Sequence, residues 1–206
     1  MADITRTRPS ERSDQANWAG EIAAQLCASA DVVARVAHEE ADLLARMASL
    51  LVLRLEAGGT LFLCGNGGSS ADAMHVATEL VARYKIDRRA LPAMALGVDP
   101  TFVSAWSNDM TFEHVFARQL EGLARRGDVL WCFSTSGNSP NVIHAARTAR
   151  ELGLTTLGFS GAGGGQLRQS VDLCLCVPST ETPHVQEAHM AAAHVLCELI
   201  ERACAA

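Results

Sequence analysis

Two short stretches of this chain carry the residue types that hold an oxyanion. The first reads Cys64-Gly-Asn-Gly-Gly-Ser-Ser70. Its glycines let backbone N–H groups approach a ligand, and Ser69 and Ser70 open the helix expected next, whose N-terminal dipole favours negative charge. The second reads Ser134-Thr-Ser-Gly-Asn-Ser-Pro140, four hydroxyls and a glycine ahead of another helix start. Neither is a nucleotide motif: Ser70 stands where the last glycine of GxGxxG is required, and no GKS or GKT follows, so no nucleotide cofactor is expected. Either stretch alone would serve as an ordinary helix cap. At equivalent positions after two strands, the pair points to a phosphorylated ligand.

Titratable groups lie just beyond these loops. His75 and Glu79 are four residues apart, which puts an imidazole and a carboxylate on one helix face. That spacing serves metal ligation and equally a plain i,i+4 polar contact. Ala73, Val76, Ala77 and Leu80 form the other face, so the pair can line a cleft. Near the C-terminus Gln186, Glu187, His189 and His194 interrupt a segment rich in Ala, Leu, Val and Met, where unpaired polar groups are costly if buried. His189, with His38, His114, His144 and His184, reads as a satisfied core histidine.

The elements that must position these residues follow from apolar patterning. Short apolar runs at Thr60–Cys64, Ala93–Leu96, Val129–Phe133, Thr155–Phe159 and Leu173–Val177 read as buried strands. They alternate with helical patterns near Ser70–Tyr84, Thr111–Arg125, Ser139–Leu152 and Gly165–Ser170, and a last helix is expected over Pro183–Ala203. Such alternation predicts a parallel sheet covered on both faces, a three-layer α/β/α sandwich. Ahead of it, helical spacing over Asn17–Leu55, weakly broken at Ser29–Asp31, predicts a helical hairpin. Its apolar positions exceed what one sheet face can cover, which points to another subunit; the alternative is a helix buried against its own sheet. Residues 1–15 are expected to form a disordered tail and 16–206 one domain.

Composition excludes several classes. A net charge of −6 and a pI near 5.6 leave no basic field to hold nucleic acid. The longest apolar runs, such as Met47–Leu53, fall well short of the roughly 20 residues that span a bilayer, and the N-terminus lacks the apolar core of a secretory signal. No membrane role and a cytoplasmic location are therefore expected. Seven cysteines without a CxxC pair read as buried thiols, with Cys174 and Cys176 on one strand face.

Taken together, Gly65-Asn-Gly-Gly-Ser69, Ser134-Thr-Ser-Gly-Asn-Ser139, Ser107-Asn-Asp109 between them, and Gln186-Glu-x-His189 with His194 resemble the SIS-domain phosphoheptose isomerases, from about Gly20 onward. The resemblance implies a flavodoxin-like five-stranded sheet, a homotetramer, and a substrate phosphate held by Ser134, Thr135, Ser136 and Ser139. It implies that Asn66, Gly67, Gly68 and Ser69, with Asn108, Asp109 and Gln186, contact the sugar. It also implies one zinc per subunit on His75, Glu79, Gln186 and His194, with Glu79 as general base and His194 as acid or base. The implied activity is conversion of sedoheptulose 7-phosphate to D-glycero-D-manno-heptose 7-phosphate through an enediolate, the first step toward ADP- or GDP-heptose.

Ketose-to-aldose conversion needs a base that carries a proton between C1 and C2 and an electrophile for the enediolate. Neutral imidazoles, an amide and one carboxylate suit zinc as a Lewis acid, and manganese, cobalt and nickel accept the same donors. Helix geometry adds a constraint, because residues eight apart differ by about 12 Å along the axis and about 80° around it. Gln186 and His194 are thus awkward partners for one ion: either only one touches it, or different subunits supply them, which would place the site at a subunit interface. A non-catalytic SIS module, binding a phosphosugar or a replication initiator, is the competing reading. It needs the phosphate loops but not the set His75, Glu79, Gln186 and His194. A metal-independent isomerase of a shorter pentulose 5-phosphate is a third.

Overall fold

The computed structural model describes residues 11–205, with side chains from Asn17 onward. Five strands form one parallel sheet in the order β2-β1-β3-β4-β5: β1 (Leu61–Cys64), β2 (Ala93–Ala95), β3 (Val129–Ser134), β4 (Thr155–Ser160) and β5 (Leu173–Cys176). Each strand reads as an apolar run because both faces are covered. Leu61, Leu63, Val129, Trp131 and Phe133 point into one core layer and Phe62, Cys64, Leu130 and Cys132 into the other. The first layer is closed by α1 (Glu11–Glu39), α2 (Ala41–Glu56), α3 (Gly68–Val81) and α8 (Thr182–Cys204). The second is closed by α5 (Val115–Leu123), α6 (Pro140–Glu151) and α7 (Leu167–Ser170), with α4 (Pro100–Asp109) at its margin. This is the expected three-layer α/β/α sandwich. The chain leaves β1 toward β2 on one side and returns to β3 on the other, so the β1–β3 gap is the topological switch point where such sheets bind ligands.

Three local expectations are corrected. The expected N-terminal hairpin is instead one kinked helical run: α1 continues through Ser29–Asp31, where the Ser29 hydroxyl donates to Glu187 of α8 and caps nothing, and α1 and α2 both pack along α8 and hardly against each other. The break falls at Glu40, where Glu40 N still donates to Val36 O at 3.0 Å and Leu44 N to Glu40 O at 2.9 Å, so it is a kink and not a loop. Helix α4 was not expected, although its start is written in Asp99-Pro100. The Asp99 carboxylate accepts from Thr101 N at 2.8 Å and Phe102 N at 3.3 Å, and Pro100 loses no bond at the first helical position. The helix expected over Thr111–Arg125 begins as a 3₁₀ turn, Phe112–His114, before α5. Most of the expected tail, residues 1–10, lies outside the described residues, and α1 is already formed at Glu11. Among the described residues, no helix is long and apolar enough to cross a membrane.

One buried ion pair ties the end of α3 to α8. The Arg88 guanidinium donates to the carbonyls of Leu80 and Glu79, each at 2.9 Å, closing the C-terminal turn of α3. Its Nε lies 3.2 Å from Oε1 of the fully buried Glu201. Burial pushes the Glu201 carboxyl up, but hydrogen bonds from the amides of Lys85, Tyr84 and Ile86, together with Arg88, hold it below the ordinary range. Its contribution is therefore complete above the carboxylate range and lost only as pH falls through that depressed value. Removing one partner of such a pair strands a buried charge. We expect Glu201→Gln to lower stability by about 3–5 kcal/mol, measured by urea denaturation at pH 7; an unchanged midpoint would show that the pair contributes nothing.

Candidate active site

The two glycine- and hydroxyl-bearing loops follow β1 and β3, so they face each other across the switch point. In the first, Gly65 packs so tightly on Ser69 that a Cβ would fall 2.5 Å from the Ser69 carbonyl oxygen, and Gly67 takes φ +55°. In the second, Gly137 takes φ +65°, and a Cβ there would meet the Gly164 carbonyl oxygen at 2.2 Å. The loops are joined by a reciprocal amide pair. Asn66 Nδ2 donates to Asn141 Oδ1 and Asn141 Nδ2 to Asn66 Oδ1, both at 2.8 Å. Asn66, expected against a sugar, uses one N–H and its carbonyl oxygen to join the two loops and keeps a second N–H for a ligand.

The hydroxyls of the second loop are arranged for an acceptor-rich ligand. Ser134 Oγ and Ser139 Oγ lie 3.0 Å apart, and Ser139 makes no side-chain cap to α6 although it occupies the N-cap position. Ser136 Oγ accepts from Asn138 N at 3.1 Å, while the Asn138 amide donates to Ser136 O and accepts from Gln166 N. Thr135 is half-buried and Ser136 exposed at the mouth. With the α6 N-terminus behind them, these donors suit a phosphate.

On the adjoining face, α3 and α8 run side by side in the same direction, as helices on one face of a parallel sheet must. Contacts therefore advance together along both. Gly68 faces Gln186, whose Nε2 lies 2.1 Å from where a Cβ on Gly68 would sit. Further along, His75 Nε2 is 3.0 Å from His194 Nε2 and 3.3 Å from Glu79 Oε1. His75, Glu79 and His194 bring one donor atom each within 4.8 Å of one another, and among the described residues they are the one His, Cys, Asp and Glu group that does so. The His75 and Glu79 side chains keep 47% and 20% of their surface exposed, so a ligand can reach them.

The donor set fits a zinc ion. Two ligands bonded about 2.0–2.1 Å from one ion at right to tetrahedral angles are themselves about 2.9–3.4 Å apart, which matches the 3.0 Å between the two Nε2 atoms. Gln186 stands apart from this trio. Its amide lies against Gly68 and beside Asp72, a turn before His75, as the eight-residue spacing requires. Asn108 and Asp109 end α4, exposed, with Asn108 Nδ2 donating to Asp109 Oδ1 at 2.9 Å. Their described hydrogen bonds do not reach the loops.

Asp72, Asn141 and Tyr84 escaped the sequence reading. Asp72 is buried on the His75 face of α3, its Oδ2 without a hydrogen-bond partner; burial raises its carboxyl above the ordinary range against the opposing influence of Gln186 and His75. Its position three residues before His75 was a usable signal. Asn141, just inside α6, gave none, since its partner is distant in sequence. Of the histidines read as core, only His189 is fully buried, whereas His38 and His114 are exposed, and His144 and His184 half-buried. Among the thiols, Cys64, Cys132, Cys197 and Cys204 are buried, but Cys27 is exposed on α1 and Cys174 and Cys176 on the edge strand are half-buried.

Residues 26–161 match the SIS domain family. A phosphoheptose isomerase from Roseiflexus is 50% identical over 175 residues, covering 85% of this chain and 89% of that protein. One from Bradyrhizobium is 48% identical over 184 residues, covering 88% and 93%. The structure of the phosphoheptose isomerase of Neisseria gonorrhoeae superposes with a TM-score of 0.85 at 34% identity, over 90% of this chain and 99% of that one. That of Francisella tularensis gives 0.86 at 31% identity, over 89% and 97%. The fold and site thus define an SIS-domain protein with glycine- and hydroxyl-rich loops at the switch point. The chain belongs to the phosphoheptose isomerase family.

His189 yields a pH prediction. Its Nε2 faces the Ser160 carbonyl at 3.2 Å, and burial pushes the imidazole down to about 4 against the raising effect of that bond. A histidine lowered on folding is neutral in the native protein and charges on unfolding, so its contribution is full above about 6.5 and lost as pH falls toward 4. In that window stability should fall by up to about 1.4 kcal/mol per pH unit from this group. Urea denaturation between pH 7 and 4.5 should show a slope one proton smaller in His189→Phe; equal slopes would count against a buried neutral imidazole.

Proposed function

We propose that the chain converts sedoheptulose 7-phosphate to D-glycero-D-manno-heptose 7-phosphate through an enediolate. Membership of the family makes it a sugar-phosphate isomerase. The observation that carries the chemistry is the convergence of Glu79 Oε1, His75 Nε2 and His194 Nε2 beside two phosphate-type loops. The phosphate would sit on Ser134, Thr135, Ser136 and Ser139, and the sugar would extend toward α3 past Gly67, Gly68 and Ser69, with Asn108, Asp109 and Gln186 contacting its hydroxyls. Glu79 then takes the proton from C1 of the open-chain ketose and returns it to C2. In the metal-free form of this mechanism His194 gives a proton to O2 from Nε2 and receives one from O1, so its charge is restored at the end of the turnover; with a metal on Nε2, the ion would stabilise the charge on those oxygens instead.

His75, Glu79 and His194 would hold a zinc ion, whose Lewis acidity would stabilise negative charge on the substrate oxygens; Gln186 would reach that ion only from a neighbouring subunit. A homotetramer belongs to the same reading. Trp18, Ile22 and Leu26 form an exposed stripe at i, i+4 and i+8 on α1, and Val195 and Leu199 a second on α8, more apolar surface than a lone chain carries without use. Gln186 and His194 lie about 12 Å apart along α8, which favours sites completed across a subunit interface. A cytoplasmic location is part of the proposal, since phosphorylated sugars are retained there.

The test is NMR of sedoheptulose 7-phosphate with wild type, Glu79→Gln and a chelator-treated sample. An aldoheptose 7-phosphate should appear with wild type, and kcat should fall by about 10²–10⁴ in Glu79→Gln with the sugar phosphate still bound. Wild-type turnover in Glu79→Gln would refute the base, and bound but unchanged substrate in every sample would refute the isomerase. Chelator-resistant turnover would remove the metal from the mechanism.

A further inference from the structure

The segment that leaves α3 is gripped by α8 at a single carboxylate. Fully buried Glu201 accepts from the backbone N–H groups of Tyr84, Lys85 and Ile86 at 2.8, 2.6 and 3.0 Å. Three consecutive amides on one carboxylate fix the backbone of this turn, whatever its side chains, so they fix where the Tyr84 side chain starts. Lys85 adds a second restraint: its Nζ is 2.7 Å from Glu198 of α8 and 5.3 Å from the centre of the Tyr84 ring.

Held in this way, the Tyr84 ring lies stacked on the imidazole of His194, with centroids 5.7 Å apart and planes 18° from parallel. His75 meets the same imidazole edge-on, at 5.1 Å and 63°. The ring torsion of a histidine is broad when nothing restrains it, yet the direction of Nε2 depends on it. Metal ligands are commonly oriented by a hydrogen bond from the second ring nitrogen. No such bond from His194 Nδ1 is seen among the described hydrogen bonds, and the aromatic face is the restraint that the structure provides. Tyr84 is half-buried and also packs against the first core layer, so a positioning role is read from zinc affinity, the kcat-against-KM split and the ring NOE and not from stability.

We propose that Tyr84 is a positioning residue for His194: its ring, anchored through Glu201, sets the imidazole plane so that Nε2 faces His75 and Glu79. The kinetic consequence rests on the isomerase reading, whereas the stacking does not. Misplacing a reacting group by about 1 Å costs up to about 10²-fold in rate, and the substrate phosphate is bound elsewhere. Loss of the ring should therefore lower kcat and leave KM nearly alone.

Tyr84 is the single tyrosine of the chain, so its ring protons can be identified without ambiguity. In protein deuterated except at tyrosine and histidine, an NOE should connect the Tyr84 ring to one histidine, and that cross-peak should vanish in His194→Ala. Tyr84→Leu should reduce kcat by ten- to a hundredfold with KM for sedoheptulose 7-phosphate within threefold, weaken zinc about tenfold in a chelator competition, and shift the His194 ring resonances. Tyr84→Phe, which keeps the face and loses only the hydroxyl, should stay within twofold of wild type on all of these. An active wild type without the NOE, or a Tyr84→Leu enzyme with wild-type kcat and zinc affinity, would overturn the positioning role. An inactive wild type that shows the NOE would overturn the functional reading and leave the stacking in place. The NOE needs no variant to fold.

Discussion

Helices that cover one face of a parallel sheet all return against the strands, so neighbouring helices on that face point the same way. The candidate site depends on this constraint through α3 and α8. Because the two run in parallel, a residue further along one meets a residue further along the other: Gly68 meets Gln186, His75 meets His194, and the turn after α3 meets Glu201. Shifting one helix by a single residue against the other would move the contact by about 1.5 Å and 100° of rotation, enough to separate His75 from His194. The register of this helix pair thus decides whether the candidate site forms at all, as well as how the two helices pack.

Interactions at both ends of the cleft maintain that register. At one end Gly68 admits Gln186 because it has no Cβ, so α8 approaches the start of α3 closely. At the other, Arg88 bonds the last carbonyls of α3 while pairing with Glu201, which fastens the end of one helix to the body of the next. Between them lie the apolar contacts of Val76, Ala77 and Leu80 with the α8 residues Ala192, Ala193, Leu196 and Cys197 in one core layer. Small side chains dominate the α8 half of this seam, and they let polar groups on its rim come within bonding distance. Apolar contact supplies the adhesion, and the polar anchors select one register from those that the smooth seam would accept.

The sandwich was legible because its strands are short apolar runs, a pattern produced by burial on both faces, that stop at the turn-forming residues Gly65, Gly97, Ser134, Ser160 and Pro178. Residues close in sequence on one helix, such as His75 and Glu79, could be paired by spacing alone. The α4 helix was missed because its ten residues bury no side chain fully and so show little periodicity; its cap at Asp99-Pro100 was the better signal. Asn66 with Asn141, and Tyr84 with Glu201, pair across 75 and 117 residues. Such pairs become visible only when the fold brings their elements together, and no local propensity marks an asparagine or tyrosine for that purpose. The kink at Glu40 was misplaced for a related reason: Ser29 looks like a cap until Glu187 is beside it.

The eight-residue spacing of Gln186 and His194 joins these strands of argument. Along one straight helix the two side chains cannot occupy one point, and in this chain they do not: Gln186 lies at the phosphate-loop end of α3 and His194 at the His75–Glu79 end. A heptose phosphate is long enough to use both. Held by its phosphate between the β1 and β3 loops, it would pass Gln186 before its C1–C2 end reached Glu79 and His194. The distance between the two residues would then measure the substrate, and the parallel register of α3 and α8 would set the length of sugar whose reacting carbons arrive at the base.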